Sequence, residues 1–80
     1  MIRINLSEHL HKLGLTNNKL AVMSSTRPNT IADMTNGKAQ RIDLETLDRI
    51  LNTLNQICVD RKLGFTYQLT DIIVYEYSGQ

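Results

Sequence analysis

The amino-acid sequence predicts a mostly α fold: a compact bundle of four or five helices, with a small two-stranded β ribbon available from the two termini. Three observations carry this expectation. Apolar residues recur at helical spacing in four stretches between residues 6 and 62. Each stretch opens on a capping residue or a proline and closes on glycine or serine. The β-rich segments lie at the ends, Ile2-Arg3-Ile4 and Ile72-Ile73-Val74-Tyr75-Glu76-Tyr77.

The first helix is expected over about 6–13. Asn5-Leu6-Ser7-Glu8 reads as a capping box with Asn5 as the cap. Leu6, Leu10 and Leu13 follow at helical spacing, and Gly14 stops the run. Thr16 caps a second helix of about eight residues, with Leu15 and Leu20 placed as a hydrophobic staple. Leu20 and Met23 are expected to face inward, and Ala21 is small enough for close helix approach. This helix ends near Ser24-Ser25 and is too short to stand alone in water.

Pro28 opens the third helix, because a first-turn N–H has no helical partner to lose. It runs to Thr35, and Asn36-Gly37 supplies a left-handed stop. Ile31, Met34 and Thr35 share one side; Asn29, Asp33 and Asn36 share the other, with Ala32 beside them. The fourth helix runs from 44 to about 62, with Asn52 and Asn55 as earlier stopping points. Asp43 caps it, Ile42 and Leu47 form a staple, and Leu44, Leu47, Leu51, Leu54 and Cys58 trace a seam with Ile50 alongside. Acidic residues at its start and Arg61-Lys62 near its end match the helix dipole, and Gly64 is the expected terminator. In the tail, Thr70-Asp71 caps a short turn before a strand over 72–77 that is placed to pair with Ile2–Asn5.

Eighty residues hold one domain, 1–80, and 41% hydrophobic with 21% charged side chains excludes a disordered tail. The last part, about 63–80, reads as an extension that supports dimerisation. No apolar run approaches the ~18 residues of a membrane helix. The start lacks the apolar core of a secretory signal. With one cysteine, Cys58, no internal disulfide is possible, so a cytoplasmic location is expected. The chain is too short to wall off a catalytic cavity, and no nucleophile–base or paired-carboxylate pattern converges, so neither enzyme activity nor a cofactor is expected. His9 and His11 are two apart and point different ways on a helix, so no metal site is expected. Tyr67, Tyr75 and Tyr77 suit core or dimer roles better than base stacking.

Charge is more informative by halves than in total. Residues 1–42 carry six basic side chains against two acidic, a net of +4; residues 43–80 carry three against six, a net of −3. A basic half suits a polyanion, although a solvated surface would read the same way. Two short helices joined by Ser24-Ser25-Thr26 form a helix-turn-helix pattern, whose second helix would lie in the major groove. Its outer face is short and amide-rich, where solvated faces usually carry Lys and Glu. Arg27 suits guanine O6 and N7, and Asn29 suits adenine N6 and N7. Asp33 suits cytosine N4 but also repels phosphate.

Several strings resemble the Cro/lambda-repressor-like (XRE-type) DNA-binding proteins: Leu15-Thr16-Asn17-Asn18-Lys19-Leu20-Ala21, Arg27-Pro28-Asn29-Thr30-Ile31, Asn36-Gly37-Lys38 and Ile42-Asp43-Leu44-Glu45-Thr46-Leu47-Asp48. The resemblance runs from about Asn5 to Leu54, with an echo at Asp71–Tyr75. It implies a lambda-repressor-like bundle without catalytic activity, with helix 28–35 in the major groove. It implies that Arg27, Asn29, Ala32, Asp33 and Asn36 lie near bases and that Asn17 and Asn18 lie against phosphate. Lys19, Thr30, Lys38 and Arg41 are the further expected phosphate contacts. Two positions depart from the pattern: Ser25 stands where glycine is usual, and Thr26 where an apolar residue is usual.

The expectation is a sequence-specific transcriptional regulator acting on double-stranded DNA as a homodimer, with the acidic half and strand 72–77 as the interface. The alternative is a protein–protein module, an antitoxin or antirepressor, using the acidic half.

Overall fold

The structure is a computed structural model that describes residues 1–77 and 79. Along the chain lie β1 (Ile2–Ile4), α1 (Ser7–Leu13), α2 (Asn17–Met23), α3 (Pro28–Thr35), α4 (Leu44–Asp60), α5 (Leu69–Ile72) and β2 (Ile73–Tyr75). Among the described residues the fold is mostly helical, with five helices and one antiparallel two-stranded sheet from the termini. Leu6, Leu20, Ile31, Met34, Ile50, Leu54, Cys58 and Ile72 are its fully buried centre, one side chain or more from each of the five helical segments or their caps.

The local start signals of α2, α3 and α4 act as the sequence predicts. Thr16 Oγ1 accepts from the Lys19 N–H at 3.1 Å, and the Asp43 carboxylate accepts from the Thr46 N–H at 2.7 Å. Pro28 is the first residue of α3. The first helix departs from expectation. It begins at Ser7 with Leu6 at the cap position, and no side chain caps it. Asn5 instead donates its N–H to the Ile72 carbonyl at 2.7 Å, continuing the ladder of the ribbon. Leu6 is wholly buried. Burying a leucine is worth ~1.5–3 kcal/mol against ~1 for a cap, so the core wins.

Two inward faces are also rotated from expectation. Met23 is 46% exposed, and Ser24 takes the buried place beside Leu20 and Ala21. Residues 20, 21 and 24 define the inner face, and residue 23 lies about 110° from its centre. On α4 the buried stripe is Thr46, Ile50, Leu54, Ile57 and Cys58, turned by about 70° from the Leu44 seam. Leu47 and Leu51 flank it half-buried, while Leu44, in the first turn beyond the core edge, is 81% exposed.

The fourth helix ends at Asp60, before Gly64. Lys62 takes the left-handed position at φ 54°, and Leu63 N–H reaches back to the Cys58 carbonyl. Arg61 Nη1 donates to the Leu13 carbonyl at 2.6 Å, which ties this stop to the end of α1. Asn55 does not break the helix; its amide holds the Tyr67 backbone through both N–H and C=O, laying the tail across the bundle. The short helix α5 is capped at Gln68, whose N–H donates to the Asp71 carboxylate at 2.8 Å, so Asp71 lies inside the turn and Thr70-Asp71 is not its start. The ribbon pairs Ile2 with Tyr75, Arg3 with Val74 and Ile4 with Ile73. Its second strand starts at Ile73 because Ile72 is the buried end of α5. Ser78 and Gln80, the last part of the expected 63–80 extension, lie outside the described residues.

Candidate nucleic-acid interface

The site is built on α2, the turn after it, and α3. The end of α2 forms a Schellman motif: Ser25 N–H donates to the Val22 carbonyl and Thr26 N–H to the Ala21 carbonyl. Ser25 fills the left-handed position at φ 54°, where glycine would be unstrained. The second departure, Thr26, is buried yet satisfied: its Oγ1 donates to the Ser24 carbonyl at 3.3 Å and lies 3.0 Å from Ser24 Oγ. Arg27 then runs extended (φ −66°, ψ 138°) into Pro28.

α3 is held by one face only. Ile31 and Met34 are buried and Thr35 is half-buried, whereas Asn29, Asp33 and Asn36 are exposed. Ala32 and Thr30 are half-buried at the edges, and Arg27 stands exposed at the head. The helix closes on Gly37 at φ 73°, and the N–H groups of Lys38 and Ala39 both donate to the Asp33 carbonyl, at 2.9 and 3.1 Å. This closure folds the following loop back against the polar face. A recess of about 290 Å³ is lined jointly by Thr30 and Asp33 from α3 and by Lys38, Gln40 and Arg41 from the loop. Gln40 was not anticipated from sequence; its place between two basic residues was the available signal.

The start of α2 joins the same surface. Asn17 donates its amide to Thr35 Oγ1 at 3.3 Å, bridging to the far end of α3. Asn18 and Lys19 lie exposed beside it. Among the described residues, Lys19, Arg27, Lys38 and Arg41 are in no ion pair.

The acidic half behaves differently. Each of its six carboxylates has an internal partner. Asp43 accepts from Thr46 N–H, Glu45 pairs with Arg49, Asp48 accepts from Asn52, Asp60 from Gln56 and Asp71 from Gln68 N–H, and Glu76 pairs with Arg3. The Thr46 N–H holds the Asp43 carboxyl below its ordinary value. Burial pushes the Tyr67 phenol up, with Cys58 and Asp71 adding to the shift. Tyr67 packs edge-on to His9, whose Nε2 meets the Asp71 carbonyl at 2.9 Å. Among the described residues, no group of three His, Cys, Asp or Glu side chains is arranged to hold a metal ion, and no helix is long and apolar enough to cross a membrane.

Two helices joined by a left-handed turn, the second buried on one side and amide-rich on the other, define a helix-turn-helix DNA-binding domain. The chain belongs to the Cro/C1-type HTH DNA-binding domain family, whose model matches residues 5–59. That span holds α1 to α3 and all but the last residue of α4. No curated protein and no solved structure matches the chain.

Proposed function

We propose that this protein is a sequence-specific DNA-binding transcriptional regulator that reads the major groove with α3. One observation carries the reading: the exposed Asn29, Asp33 and Asn36 face of α3 is continuous, through a shared recess, with two basic side chains of the following loop, Lys38 and Arg41, which are in no ion pair among the described residues. Arg27 and Asn29 contact base edges by forked hydrogen bonds, with Ala32, Asp33 and Asn36 following along the groove. Asn17, Asn18, Lys19, Thr30, Lys38 and Arg41 hold the phosphates and set the register. The reading invokes no catalysis and no cofactor.

A helix of eight residues reads few bases, so the protein acts as a homodimer on two half-sites about one helical turn apart. The ribbon is the favoured interface, because Ile2 and Tyr75 are paired on it and yet 67% and 65% exposed. A standard interface takes ~800 Å² per partner, about a seventh of the 5808 Å² surface of this chain. Two three-residue strands offer less than that, so the apolar groove behind them, lined by Ile42, Leu47 and Leu69, takes part.

The deciding experiment selects bound sites from random duplex DNA. The expected product is a short, two-fold symmetric consensus. Recovery of duplexes with no shared sequence would refute the reading. The partner-module alternative has less behind it, because the carboxylates it would use are already engaged within the chain.

A further inference from the structure

Arg49 on α4 links two buried polar residues of the core: its guanidinium meets the backbone carbonyl of Ser24 and the hydroxyl of Thr46, and the hydroxyl of buried Thr26 bonds the same Ser24 carbonyl. Arg49 Nε donates to the Ser24 carbonyl at 3.2 Å, and Nη2 reaches Thr46 Oγ1 at 3.4 Å. Its Nη1 pairs with Glu45 at 3.1 Å, one turn back on the same helix. The Ser24 carbonyl closes α2, so it takes no N–H from within that helix and lies at its negative end. A cation donating there is a charge-assisted bond, stronger than a neutral one. The same carbonyl accepts from Thr26 Oγ1, and Ser24 Oγ donates to the Leu20 carbonyl at 2.7 Å.

This network surrounds the one strained residue of the site. Ser25 holds φ 54° without the freedom of glycine, so competing turn conformations lie close in energy. Two residues later the chain reaches Arg27 and Pro28, so any rotation at Ser24–Ser25 swings the head of α3. We propose that Arg49 is a positioning residue for DNA recognition: it clamps the turn from α4 and so sets the angle at which Arg27 and Asn29 meet the bases. This rests on the reading of α3 as the recognition helix. Forked base contacts tolerate little misplacement, whereas lysine–phosphate contacts act nearly as point charges. Loss of the clamp therefore falls on sequence preference and spares general affinity for DNA.

The test uses the full chain, a duplex that the unmodified protein selects from random DNA, and a scrambled duplex of equal length, at one salt concentration. Arg49→Met keeps the aliphatic stem and removes the donors. Its preference for the selected duplex is expected to fall about tenfold, the effect of one mismatched base pair. Its affinity for the scrambled duplex is expected to stay within about twofold, because no phosphate contact is removed. Arg49→Lys, still a donor to the Ser24 carbonyl, is expected to restore most of the preference, which lost packing alone would not explain. If Arg49→Met does not fold, Arg49→Leu, which likewise removes every donor but leaves Ser25 unchanged, is measured in its place. An intact preference, or an equal loss on both duplexes, overturns the clamp. Failure of the unmodified protein to select any sequence overturns the reading of α3, and the clamp with it.

Discussion

Ser25 and Lys62 both hold φ 54°, where a Cβ crowds the backbone at a cost of about 1–2 kcal/mol. Each sits just past a helix end, at the place Gly14 and Gly37 fill elsewhere in the chain. Ser25→Gly and Lys62→Gly are each expected to stabilise the fold by about 1 kcal/mol, less the added freedom of the unfolded chain. Thermal melts should show a rise of a few degrees for each; a fall in both would contradict the strain. At the surface proposed to face DNA, two residues are assigned two kinds of contact. Arg27→Ala should flatten preference among duplex sequences. Lys38→Ala should weaken binding to all of them and lower the salt slope by about one. Equivalent behaviour of the two variants in a salt titration would contradict the assigned roles.

At the scale of the element, α4 shows how a cap, a stripe and a stop come from different sources. Its cap is local. The Thr46 N–H bonds the Asp43 carboxylate and lowers its pKa from the ordinary 3.8. Folding therefore favours the ionised form. Its contribution is complete above the unfolded pKa and is lost as pH falls through the lower folded one. Asn offers a neutral acceptor in the same place, weaker than the ionised carboxylate and without titrating. The stability gap between the natural protein and Asp43→Asn, followed by melts from neutral pH to about pH 2, should close in acid. A gap that does not change with pH would remove this account. The stripe and stop of α4 depend on distant residues: its rotation follows from what packs on it, and its last turn is tied to α1 through Arg61 and Leu13.

At the scale of the molecule, charge is divided by use. The acidic half is occupied with caps and pairs of its own, while the basic residues around α3 have no internal ion pair among the described residues. The terminal ribbon lies in neither class. Arg3 and Glu76 pair across it at 2.8 Å, but both are more than half exposed, so the pair itself contributes little. Its apolar edge residues are the better guide to assembly. Sedimentation is expected to give a dimer at high concentration and on DNA, and Tyr75→Lys, a charge placed on an exposed edge, to shift it to monomer with unchanged far-UV circular dichroism. A natural protein that stays monomeric on its selected duplex would end the dimer proposal.

The sequence by itself determined what depends on neighbours within one helical turn: the Thr16 and Asp43 caps, Pro28 at the head of α3, the stops at Gly14 and Gly37, and the amide-rich outer face of α3. It also determined the pairing of the two ends, because they were the β-rich segments left over; the antiparallel sense and the register came from the structure. The tertiary structure decided the rest. It assigned the Asn5 N–H to the ribbon, turned α4 toward Ile50, ended it at Asp60, and made Asn55 a brace for Tyr67. It alone brought Arg49 to the turn, across 25 residues, and Arg61 to Leu13, across 48. Contacts at such separations leave no periodicity to read, and they prevail because burying apolar surface outweighs any one cap or terminator.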